Sequence, residues 1–171
     1  MISIKIPKDI IISWGKHFVK VTGSLGTVKK KKSGFDLVIK DSTLYIIPEN
    51  NDVKLDFYTS LLNNLIIGVS KGYRQKLKLV GVGFKVSIVD KALKLKIGYS
   101  HEVLYQIPED VKILVSSIKG SLILIKGKEK QRVSQIASEI RALRIPDAYK
   151  GKGIQYFNEI LKLKKGKSEG K

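Results

Sequence analysis

Lys150 and Lys152 alternate with Gly151 and Gly153 in the stretch RIPDAYKGKGIQY, Arg144 to Tyr156. The chemistry this spacing suits is electrostatic. Glycine leaves backbone N–H groups uncovered, and lysines on either side add positive charge, which fits a ligand with many anionic oxygens. Further cations crowd around the motif. Lys126, Lys128, Lys130, Arg132, Arg141 and Arg144 precede it, and Lys162, Lys164, Lys165 and Lys167 follow. From Lys126 onward 13 basic residues face 5 acidic ones.

No other residues form a comparable set for bond-making chemistry. The GKS at Gly166–Ser168 lacks the glycine five positions earlier that a phosphate-binding P-loop requires, because Leu161 stands there. Gly81-Val82-Gly83 begins like a dinucleotide fingerprint, but Val86 occupies the third glycine position and the surrounding pattern is strand. Glycines for a bulge or close packing explain it better. His17 and His101 have neither metal-ligand nor HExxH spacing. His101 is the better functional candidate, since Ser100 and His101 leave a hairpin strand with polar groups exposed, although a structural role is favoured for both. With no cysteine, disulfides, thiolate metal sites and cysteine nucleophiles are excluded. The expectation is a protein with no catalytic residues, no metal and no cofactor.

The charge makes an acidic partner the first hypothesis, with folded RNA on a non-enzymatic protein set against a free RNA-binding or RNA-modifying enzyme and a peripheral protein on anionic membranes. The 171 residues carry 33 basic and 15 acidic side chains, a net charge of +18, with 43% apolar residues for a core. Residues 1–75 hold a net +6 and residues 76–171 a net +12, so the second half is the more basic. VGVGFKV, Val80 to Val86, superficially matches an RNA-recognition strand but offers only Phe84 for base stacking, and aromatics are scattered at 8%. Recognition of folded RNA by shape and phosphate fits better. The apolar runs are too short for a membrane-spanning helix, and the first residues resemble neither a signal peptide nor an organellar presequence. The run Lys29–Lys32, beside Ser33-Gly34, reads as a solvated turn. Abundant isoleucine, with only four arginines among the 33 cations, suits an AT-rich genome.

These side chains need elements to hold them, and the chain writes its elements twice. Ile6-Pro7-Lys8-Asp9 reappears as Ile107-Pro108-Glu109-Asp110, each followed by an apolar run ending near Gly23 and Gly127. Period-two patterns predict strands over Phe35–Ile39, Thr43–Ile47, Leu77–Val89 and Leu93–Tyr99, with turns at Lys40–Ser42 and Asp90-Lys91. Helices are predicted over Asp52–Ile67, with Leu55, Tyr58, Leu62 and Leu65 on one stripe and Gly68 near the end, and over Glu129–Leu143, with Val133, Ile136, Ala137, Ile140 and Leu143. The expected fold is α+β, an internal duplication of two domains, each an antiparallel β-sheet packed with one α-helix. The domains would be 1–75 and 76–171, the second carrying the RNA-binding role and a frayed basic tail.

GVSKGY (68–73), LVGVGF (79–84), GYSH (98–101), KQRV (130–133), and IRALR (140–144) leading into YKGKGI (149–154) resemble, in order and spacing, the sixth large-subunit ribosomal protein family of bacteria and organelles. The resemblance covers most of the chain. It implies a duplicated α+β fold and a structural, non-enzymatic role in translation. It also implies binding of 23S-type rRNA, chiefly by the C-terminal domain, near the sarcin-ricin loop and the site of translational GTPases, with neighbouring large-subunit proteins as further partners. Cation density and resemblance together nominate Lys130, Arg141, Arg144, Tyr149, Lys150, Gly151, Lys152, Gly153, Lys162 and Lys164 for rRNA contact. Lys85, Ser100 and His101 are secondary candidates. The implied location is the ribosome, in a bacterial cytoplasm or in a mitochondrion or plastid encoding its own copy. The chain departs from the family at Thr22-Gly23-Ser24-Leu25-Gly26, where two usual lysines are absent, and around Tyr58–Ser60, where a usual cation is missing.

Overall fold

The computed structural model describes residues 2–32, 34–48, 55–116 and 121–165. The expected helix start at Asp52, the Ser33 flank of the lysine run, the GKS tripeptide and the end of the basic tail lie outside them. The chain divides into two compact units. One runs to Tyr73 and includes Lys128–Lys130; the other comprises Arg74–Gly127 and the chain from Gln131.

Six strands and a helix build the first unit: β1 (Ile2–Lys5), β2 (Ile11–Trp14), β3 (Phe18–Gly23), β4 (Gly26–Lys31), β5 (Phe35–Lys40), β6 (Thr43–Pro48) and α1 (Leu55–Ser70). They form two antiparallel sheets, β1-β6-β5 and β2-β3-β4. Alternation decides the faces. Val19, Val21 and Val28 point inward with Leu37, Leu44 and Ile46, and the helix adds Leu62, Leu65, Ile66 and Val69 to the same core. Phe35 is fully buried, its ring centroid 4.3 Å from that of the half-buried Tyr58. Asp41 and Ser42 turn the β5–β6 hairpin at φ 48° and 61°, both in the left-handed region that a two-residue turn demands.

Two expectations for this unit are corrected. Gly68 does not end α1; it is buried inside it. The helix runs on to Ser70, and Gly72, at φ 71°, sends its N–H 3.0 Å to the Ile67 carbonyl as the terminating residue. Lys29–Lys31 are not a turn either, but the end of strand β4.

The second unit has β7 (Tyr73–Val80), β8 (Lys85–Val89), β9 (Ala92–Lys96), β10 (Val103–Gln106), β11 (Val111–Val115), β12 (Leu122–Gly127), α2 (Lys130–Ala142) and β13 (Gly153–Tyr156). Its sheets are β10-β9-β8 and β11-β12-β7-β13. The expected strand Leu77–Val89 is broken at Gly81–Phe84, where Gly83 turns the chain at φ 76° and the Phe84 N–H reaches back to the Gly81 carbonyl at 3.3 Å. In α2 four members of the expected stripe, Val133, Ile136, Ala137 and Ile140, are buried, while the fifth, Leu143, lies half-buried just past the helix end. Burial of each large apolar side chain is worth roughly 1.5–3 kcal/mol.

The duplication is visible in the strand order. Advancing each strand number by six converts β1-β6-β5 into β7-β12-β11 and β2-β3-β4 into β8-β9-β10, with α1 becoming α2. Each unit thus holds two sheets rather than one, and β13 is an addition in the second. The two Ile-Pro-x-Asp segments are not equivalent in this order: one follows β1, the other joins β10 to β11. They resemble each other because both do one local job, with Ile10 and Val111 donating N–H to the Pro7 and Pro108 carbonyls at 3.2 and 3.3 Å.

Candidate nucleic-acid interface

The end of α2 determines where the nominated residues go. Leu143 and Arg144 donate N–H to the Ile140 and Arg141 carbonyls at 3.2 and 3.3 Å, a tightened last turn, and Pro146 prevents the helix from continuing. The loop that follows closes on Asp147. The Asp147 N–H reaches the Lys152 carbonyl at 2.9 Å, its carbonyl accepts the Gly151 N–H at 2.9 Å, and its Oδ2 accepts the N–H of Tyr149 at 3.3 Å and of Lys150 at 2.8 Å. Asp147 therefore spends its charge on the loop's own backbone. The side chains of Tyr149, Lys150 and Lys152 are left exposed.

This geometry corrects the reason given for the glycines. Both are buried, and the Gly151 N–H is already bonded within the loop. Gly151 adopts φ 67° and its carbonyl accepts Gln155 Nε2 at 2.6 Å. A Cβ at Gly153, where φ is 152°, would stand 2.7 Å from Pro146 backbone atoms and 2.8 Å from the Arg144 oxygen. The glycines close the loop; they do not open its backbone to a ligand. Asp147, which organises it, was missed in the sequence, although Pro-Asp is a turn signal.

β13 then seats the loop beside β7, pairing Gly153 with Val80. The turn at Gly81–Phe84 begins at that point, and the Phe84 ring lies 3.1 Å from where a Gly98 Cβ would be. Three loops of the second unit therefore meet: 81–84, 97–102 and 143–152. Tyr99 is the link between the last two, its hydroxyl donating to the Leu143 carbonyl at 3.0 Å while the Arg144 guanidinium carbon sits 4.9 Å from its ring centroid. The His101 ring lies nearly parallel to it at 6.4 Å. Tyr99, Arg144, Ile145, Asp147 and Lys152 line an open cleft of about 590 Å³. Tyr99 is a member that the nominated set lacked.

The remaining nominees divide. Lys162 and Lys164 are exposed on the segment after β13, which is tied to the loop by Lys164 N–H to the Ala148 carbonyl at 2.8 Å. Ser100 and His101 are exposed on the 97–102 loop, and Lys85 opens β8 opposite Lys96, next to Phe84. Lys130 is exposed at the start of α2, away from the helix end that carries the loops. Arg141 is the exception. It is only 28% exposed, bonds Glu159 through Nη2 at 2.6 Å and Nε at 3.3 Å, and lies over the Tyr156 ring at 5.5 Å. The guanidinium holds the Glu159 carboxyl below its usual range, helped by the Tyr156 N–H. Arg141 thus clamps α2 to the turn after β13, and its charge is already answered.

A set of exposed cations displayed by clustered loops on a duplicated α+β scaffold suits a partner rich in anionic oxygens. The family model described as Ribosomal protein L6 matches residues 80–157. The Large ribosomal subunit protein uL6m of Reclinomonas americana is 41% identical, covering 97% of this chain and 96% of its own. The uL6 proteins of Parabacteroides distasonis and Thermotoga neapolitana are 34% and 36% identical over at least 95% of each chain. The chain belongs to the ribosomal protein L6 family, non-enzymatic constituents of the large ribosomal subunit that bind rRNA.

Proposed function

We propose that the chain docks on 23S-type rRNA through the three-loop end of its second unit, near the sarcin-ricin loop and the site used by translational GTPases. The observation that carries this reading is the Asp147-closed loop, which places Lys152 in the cleft lined by Arg144 and Tyr99 and leaves Lys150 exposed on the same loop. Lysines and Arg144 hold phosphates, and the loop's fixed shape supplies the fit to folded RNA. Tyr149, Lys162 and Lys164 extend the contact; Ser100, His101 and Lys85 lie at its margin. Gly151 and Gly153 serve it from beneath. The ribosome concerned is bacterial or organellar, and neighbouring large-subunit proteins complete the setting.

Chemical probing of 23S-type rRNA with the full chain bound tests the location. Protection at and around the sarcin-ricin loop, weakened by Lys150→Ala/Lys152→Ala, is the expected result. Protection confined to a distant rRNA domain, or unaffected by the double substitution in a folded protein, would sink the proposal.

A further inference from the structure

The lysine run in the first unit is sorted by strand geometry. Successive side chains of β4 alternate between faces. Lys30 pairs with Glu129, and Lys32, only 3% exposed, pairs with Asp36. Lys29 and Lys31 go to the other side, the open face of β2-β3-β4. There the register sets Lys20 directly opposite Lys29, and Phe18 opposite Lys31. The Lys29 ammonium lies 4.3 Å from the Phe18 ring centroid. Ser13 stands opposite Lys20 on the other flank, and Thr22 and Thr27 share a hydroxyl contact at 3.1 Å.

Like charges directly opposite on a sheet are unfavourable, and a solvated face ordinarily offsets them with acids. None of the paired positions on this face is acidic. Among the described residues, no ion pair includes Lys20, Lys29 or Lys31. The acids available to the run are instead paired with Lys30 and Lys32. What remains is a face of exposed ammonium groups interleaved with hydroxyl donors, with one ring beneath a cation. That chemistry suits a chain of regularly spaced phosphates better than an acidic protein, which would bring its own apolar anchors to a face offering only Ile11 and Phe18.

We infer that the open face of β2-β3-β4 is a second RNA-contact surface, with Lys20, Lys29 and Lys31 holding phosphates. It rests on the ribosomal reading but not on the loop cluster of the second unit.

Lysine acetylation read by mass spectrometry tests this on the full chain in three states: free, bound to protein-free 23S-type rRNA, and in the large subunit. Labelling of Lys20, Lys29 and Lys31 is expected to fall several-fold on protein-free rRNA, while exposed Lys40 and Lys91 serve as references. Unchanged labelling overturns the inference. So does protection that arises only in the assembled subunit, which would mean a protein occupant. Lys150 and Lys152 are read in the same experiment: their protection without that of the sheet lysines overturns only the sheet surface, and the converse overturns only the loop reading. In a Lys20→Gln/Lys29→Gln/Lys31→Gln variant with wild-type melting temperature, the slope of log K against log salt should fall by roughly 2–3. An unchanged slope contradicts the inference.

Discussion

Gly153 and Gly151 look interchangeable in the sequence, yet their surroundings are different. An alanine Cβ at Gly153 would meet Pro146 backbone at 2.7 Å, whereas at Gly151 its nearest neighbour is the Gln155 amide at 3.4 Å, an ordinary van der Waals contact. Gly153→Ala should therefore cost roughly 2–4 kcal/mol, combining positive-φ strain with a backbone collision, and Gly151→Ala about 1–2 kcal/mol from the left-handed φ alone. Urea denaturation of the two variants checks the ordering; equal, small losses would contradict the packing described. The Arg141–Glu159 clamp adds a pH signature at the same scale. The folded Glu159 carboxyl is held below its unfolded value, so its contribution is present above the ordinary glutamate pKa of about 4.3 and is lost as the pH falls through the folded value. Glu159→Gln should lower the melting temperature at pH 7 and narrow its gap to wild type in melts taken towards pH 3. A gap that stays constant with pH would remove the clamp from the account.

Among the elements, α2 was legible because its apolar residues recur at helical spacing and nothing interrupts them. The sequence ends α1 early, at Ile67 rather than Ser70, because Gly68 reads as a stop. Sequence alone does not distinguish a glycine that ends a helix from one that lets it pack: Gly68 is helical and a Cβ there would stand 2.0 Å from the Lys128 carbonyl oxygen. Alanine for glycine inside a helix ordinarily gains about 1 kcal/mol. Here Gly68→Ala should instead lower the melting temperature, and a rise would refute the close approach. β13 escaped notice since four residues, GIQY, carry too little periodicity to register as a strand; only its pairing with β7 defines it. The Lys29–Lys32 run was misread for a related reason. Charge suggested a solvated loop, whereas the period of two, hidden when all four residues are the same, determines which lysines meet acids.

At the scale of the molecule, the duplicated α+β plan and the partner class were legible in charge, repeat and motif order. The registration of the repeat was not, because the two Ile-Pro-x-Asp segments share a local turn rather than a place in the strand order. Of the proposed interface, the exposed cations can be read from the sequence and their support cannot: Asp147, Tyr99 and Glu159 act through backbone and side-chain contacts that spacing does not reveal. With +18 net charge, binding to rRNA should weaken steeply with salt. The most direct test of the central claim is that salt dependence, measured with the full chain and a 23S-type fragment containing the sarcin-ricin loop, for wild type and for Lys150→Ala/Lys152→Ala. Loss of two phosphate contacts should reduce the slope of log K against log salt by roughly 1.4–1.8 and weaken binding at low salt, with the melting temperature unchanged. A folded double variant with the wild-type slope and affinity would contradict the claim that this loop holds the RNA.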